Sequence, residues 1–67
     1  MIVNGVKGLI RTEVNNGRFI AQVIGKDKSG GGIMTKNPKL FINFVNRKAD
    51  GIGVDKGELK KALDMIL

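Results

Sequence analysis

The dipeptide Asn16-Gly17, inside NNG at 15–17, constrains this chain more than any other feature. Both residue types tolerate the positive φ that a two-residue type I′ turn requires, and alternating apolar residues flank them on either side. A hairpin closed at that point has a single register, in which Asn15 faces Arg18, Val14 faces Phe19, Thr12 faces Ala21 and Ile10 faces Val23. Side chains alternate with a period of two along a strand, so the register also sorts the two faces. One face collects Ile10, Thr12, Val14, Phe19, Ala21 and Val23 and is mostly apolar. The other collects Lys7, Leu9, Arg11, Glu13, Arg18, Ile20, Gln22, Ile24 and Lys26, a mixed and basic set.

Beyond the hairpin, KLFINFVNR at 39–47 is rich in β-branched and aromatic residues and reads as a third strand, with Pro38 acceptable at its start. Its alternation puts Leu40, Ile42 and Phe44 toward the core and Lys39, Phe41, Asn43, Val45 and Arg47 on the opposite face. After the turn KADG, the tripeptide IGV reads as a short fourth strand with Ile52 and Val54 on one side. Asp55 and Glu58 then form a D-x-x-E helix start, and Leu59, Ala62, Leu63 and Ile66 recur at helical spacing. The connection 25–38 reads either as a long loop or as a loop containing a short extra strand at IMT. The expectation is an α+β fold in one domain spanning 1–67: a small curved antiparallel sheet of about four strands followed by one C-terminal helix.

Composition narrows the chemistry. A chain of 67 residues is short, and one of that size buries only about 60% of the surface its unfolded form exposes, which favours homodimerisation as a source of further burial. The absence of Cys and His removes disulfides, thiolate chemistry, imidazole bases and the usual structural zinc sites. The glycine-rich stretch GKDKSGGG at 25–32 has Gly25 and Gly30 at P-loop separation, but Gly31-Gly32 stand where a P-loop needs Lys and Ser or Thr. Glu13 with Asp27, or Asp50 with Asp55, sit at turns and caps rather than as a catalytic pair. No enzyme activity, cofactor, metal or small-molecule substrate is expected. No apolar run approaches the roughly 18 residues of a membrane span, and residues 1–10 mix polar residues and glycines where a secretion signal needs a clean apolar core. A cytoplasmic protein is expected, or one in the host cytoplasm or nucleoid if virus-encoded.

The net charge of +6 points to a polyanionic partner. Residues 1–48 carry a net +7, whereas residues 49–67 carry −1, so the C-terminal helix is not the binding element. The candidate binding residues are Lys7, Arg11, Arg18, Lys26, Lys39, Phe41 and Arg47 on the face opposite the helix, with Lys28 beside Lys26 on the glycine-rich connection as an arm toward the same ligand. Gln22 and Asn43 add hydrogen-bonding groups there. Basic side chains for phosphates, interleaved with a flat ring for unpaired bases, suit single-stranded DNA or RNA bound without sequence preference. Two alternatives use the same residues. The apolar members of that face would serve a dimer interface or a closed barrel, and its cations would dock a small interaction or inhibitor protein, of viral type by its size, on an acidic partner protein.

The C-terminal half, KLFINFVNRKADGIGVDKGELKKALDMIL, resembles the end of the PC4-like family of single-stranded DNA-binding transcription cofactors. The matching order is an alternating strand at 39–47, a polar turn at 49–51, a Gly-Ile step into a short strand and a capped helix from Asp55. The resemblance implies a curved sheet with one C-terminal helix, dimerisation through the helices, single strands bound on the sheet, and phosphate contacts from Arg11, Arg18, Lys26, Lys39 and Arg47. The connection 25–38 is longer than that family's pattern, and its sheet-face Trp and Tyr are absent.

Overall fold

The computed structural model describes residues 1–25 and 31–67. Four strands, β1 (Ile2–Gly5), β2 (Gly8–Asn15), β3 (Arg18–Gly25) and β4 (Gly31–Thr35), precede two helices, α1 (Pro38–Ile52) and α2 (Lys56–Ile66). The strands form an antiparallel meander in the order β1-β2-β3-β4. The α+β class therefore holds, with two helices in place of the single one expected.

The central hairpin has the register read from its turn: Asn15 pairs with Arg18, Val14 with Phe19, Thr12 with Ala21 and Ile10 with Val23. Asn16 at φ 53° and Gly17 at φ 76° supply the two positive angles of the turn. Two strands flank this hairpin that the sequence left unread or open. β1 pairs Ile2 with Arg11 and Val3 with Ile10, and IMT belongs to β4, which pairs Ile33 with Ala21.

Residues 39–47 are not a strand. They form the first part of α1, whose start is set by Asn37 and Pro38: the Asn37 Oδ1 accepts from the Lys39 N–H at 2.9 Å, and proline at the first turn has no N–H to leave unpaired. Phe41, Val45, Ala49 and Ile52, at spacings of four, four and three, are the residues this helix buries. Of the three side chains expected in the core, Leu40 is exposed while Ile42 and Phe44 are half-buried. The expected fourth strand at 52–54 is the end of the same helix. Gly53 closes it in the left-handed conformation at φ 72°, and the Val54 N–H donates to the Ala49 carbonyl at 3.1 Å. Asp55 caps α2 as expected, its Oδ1 accepting from the Gly57 N–H at 2.8 Å and the Glu58 N–H at 3.4 Å. Leu59, Ala62 and Leu63 are buried, and Ile66 packs at the margin.

Both helices cover one face of the sheet. α1 crosses β2, β3 and β4, while α2 lies against β1. The core joins Val3, Ile10, Ala21 and Val23 of the sheet to Phe41, Val45, Ala49 and Ile52 of α1, to Val54 and to Leu59, Ala62 and Leu63 of α2. Phe19 stacks on Phe41 with centroids 5.3 Å apart. Thr12, fully buried on this face, donates its Oγ1 hydrogen to the Met1 carbonyl at 3.3 Å, and its N–H reaches the same oxygen at 2.7 Å. No helix is long and apolar enough to cross a membrane among the described residues.

Candidate nucleic-acid interface

The opposite face of the sheet has no helix on it among the described residues. The pairing stacks its side chains into rows across the strands. Asn15 and Arg18 form the row nearest the hairpin turn, Glu13, Ile20 and Met34 the next, then Ile2, Arg11, Gln22 and Gly32, and last Asn4, Leu9 and Ile24. Ile2, Ile24 and Met34 are exposed, whereas Leu9 and Ile20 are half-buried. Arg11 and Arg18 lie on adjacent strands and two rows apart, which at about 3.3 Å per residue and about 4.8 Å between strands sets their Cα atoms about 14 Å apart. Glu13 stands in the row between them and is the one acidic residue among the described positions of this face.

At the hairpin end the face dips into a cleft of about 290 Å³ lined by Asn15, Asn16, Arg18, Ile20, Met34 and Lys36. β4 builds its far wall. Thr35 pairs with Phe19, so Lys36 emerges beside Arg18. The Arg18 Nη1 lies 3.7 Å from the Met34 Sδ, which lays the guanidinium along an apolar wall and leaves its remaining N–H groups for a ligand. Two cations, two side-chain amides and two apolar side chains converge there, a combination that suits a phosphate with an adjoining sugar or base edge.

Of the residues picked out from the sequence, the structure keeps Arg11 and Arg18 on the uncovered face, with Gln22 paired directly opposite Arg11. It moves Lys39 and Arg47 to the solvent side of α1, together with Asn43, because that stretch is helical. Phe41 is at 0% exposure in the core against Phe19 and offers no ring to a base. Lys7 sits in the turn between β1 and β2, where its N–H donates to the Ile52 carbonyl at 3.1 Å and ties that turn to the end of α1. Lys26 and Lys28 lie outside the described residues. Lys36, Asn15 and Asn16 are the additions. The signal for Lys36 was the apolar pair Ile33 and Met34 preceding it, which becomes informative only once IMT is paired to β3.

Other charges sit away from this face. The Lys48 ammonium stands over the Phe44 ring, 5.6 Å from its centroid. Lys56 pairs with Asp50, but both side chains are well exposed, so the pair adds little stability. Of the features that carried the PC4-like resemblance, the strand at 39–47 and the strand step after Gly51 are helix and helix cap, and the capped C-terminal helix stands. No family model, curated protein or solved structure matches the chain.

Proposed function

We propose that this protein binds nucleic acid, single strands in preference to duplex, by laying the phosphate backbone across the uncovered sheet face from the Arg18–Lys36 cleft toward Arg11. The observation that carries the reading is that both helices pack on one side, leaving Arg11 and Arg18 in fixed register on the other with Lys36 beside Arg18. The net charge of +6 supplies the long-range attraction. With Phe41 in the core, base contacts fall to Leu9, Ile20, Ile24 and Met34, and contact through apolar side chains carries no base code. Binding is therefore tolerant of sequence. A homodimer would repeat the same three cations and lengthen the track, which sedimentation of the free and loaded protein would reveal.

The test is a titration with matched single- and double-stranded oligonucleotides at several salt concentrations. Three phosphate contacts give a slope of log K against log salt of about −2 for single strands, at roughly 0.7 per contact. Arg11→Ala should make it shallower by about 0.7, with no change in thermal stability. Absent or salt-independent binding would sink the proposal, and tighter binding to duplex would replace the single-strand reading with a duplex one.

A further inference from the structure

β4 is the last strand of the sheet, and no described residue pairs with its outer edge. Open edges are normally guarded by a charge on the strand, a proline or a bulge. The sequence GGIMT carries no charge and no proline, and its pairing with β3 proceeds residue for residue without a bulge. The edge is apolar on both faces as well. On the helix side Ile33 and Phe44 are only half-buried, and on the outer side Met34 is 60% exposed next to Ile20. A strand added here would satisfy the free backbone groups and cover apolar surface above and below.

The two ends of the edge carry the same sign of charge. A Cβ built on Gly31 would lie 3.7 Å from the Lys48 Nζ, so an ammonium stands at the first residue of β4. At the other end Lys36 follows Thr35 directly, with Arg18 in the same cleft. The nearest described carboxylate on the sheet is Glu13, two strands inward. A second copy is a poor occupant, because a two-fold axis at Ile33 would set Lys36 of each copy against Lys48 of the other. An apolar strand flanked by carboxylates matches the edge at its centre and at both ends.

We propose that the β4 edge receives an extended peptide segment of another protein, β-branched or apolar at alternate positions and acidic at both flanks, as a fifth strand. This site is built on the open backbone edge and its ends; it shares Lys36 and Met34 with the proposed nucleic-acid face, but the unpaired edge that carries it does not depend on nucleic-acid binding. The test selects binders from a displayed library of random peptides about ten residues long, enough for a strand and both flanks, with nucleic acid excluded. Recovered peptides should be rich in Val, Ile and Thr at alternate positions, carry Asp or Glu at both flanks and lack Pro. Such a peptide should slow amide hydrogen exchange across Gly31–Thr35. The Lys36→Glu, Lys48→Glu double variant, checked for folding by circular dichroism, should bind it at least tenfold more weakly and should select Lys- or Arg-flanked peptides instead. The proposal is overturned if no peptide class is enriched, if the double reversal leaves flank preference unchanged, or if protection appears at β1 or between the helices. Self-association protecting the Gly31–Thr35 amides would assign the edge to a second copy and overturn it equally.

Discussion

Phe41→Ala separates a core residue from a ligand-facing one, because the two roles fail in opposite assays. Phe41 is fully buried, stacked on Phe19, and surrounded by the residues that join α1 to the sheet. Truncating a buried Phe to Ala costs about 3–5 kcal/mol, which includes the transfer free energy of the ring and the cavity left behind. A domain of this length has a total stability of about 3–10 kcal/mol. The variant should thus be largely unfolded or have a melting temperature lowered by well over about 10 °C, at roughly 4–8 °C per kcal/mol for a chain of this size. Phe41→Leu keeps most of the volume and should cost only about 1–2 kcal/mol. Urea titrations followed by far-ultraviolet circular dichroism measure both, and suit a chain with neither Trp nor Tyr. The Leu variant should bind oligonucleotides as the parent does. If Phe41→Ala melted like the parent while losing affinity for single strands, the ring would be at the ligand, and the placement of 38–52 as a core helix would fail.

Three further outcomes follow from individual contacts. Glu13→Gln removes the carboxylate between Arg11 and Arg18 and should tighten oligonucleotide binding by about threefold at low salt, with the gain shrinking as salt is added; unchanged or weaker binding would place the phosphates elsewhere. Asp55→Ala removes the acceptor for the Gly57 and Glu58 N–H groups and should lower stability by about 1 kcal/mol, read from the urea midpoint, whereas Asp55→Asn should restore most of it. Gly53→Ala forces a side chain into the left-handed region at φ 72°, with its Cβ driven against the Val6 Cγ2. It should cost at least about 1–2 kcal/mol in the same titration, and a neutral result would deny the helix end its left-handed cap.

The parts of this fold that were legible in the sequence are those whose geometry is written in adjacent residues. Asn16-Gly17 determines its own turn angles, and the turn determines the register of β2 against β3 without reference to the rest of the chain. Asp55 with Glu58 likewise announces the start of α2. The segment 40–45 contains two patterns at once. Leu40, Ile42 and Phe44 alternate as a strand would, while Phe41, Val45, Ala49 and Ile52 follow a helix. Short apolar runs support either reading, and strand propensity is decided by packing rather than by the backbone. The deciding chemistry lies at the ends, in the Asn37-Pro38 start and the Gly53 stop, which bracket fifteen helical residues. β1 gives still less: its Asn4-Gly5 dipeptide lies inside the strand rather than in the turn, the turn residues Val6-Lys7 carry no signature of their own, and the strand is defined by its pairing partner.

The same distinction decides how much of the interface could be read. Arg11 and Arg18 belong to the hairpin, so their face was set by the turn; Lys39, Phe41 and Arg47 depended on the 39–47 strand and left the sheet together when it proved helical. What remains is a face with cations and aliphatic side chains but no aromatic ring among its described residues. Stacking on a ring contributes about 1–3 kcal/mol per base where it occurs. Without it, most of the proposed affinity comes from counterion release, which vanishes as salt approaches about 1 M, and the preference for single strands rests on the smaller contribution of base contacts at Leu9, Ile20, Ile24 and Met34. Titrations extrapolated to that concentration should leave an affinity too weak to measure for single strands of any base composition. A residual micromolar affinity there would require a stacking surface, which this sheet face does not present.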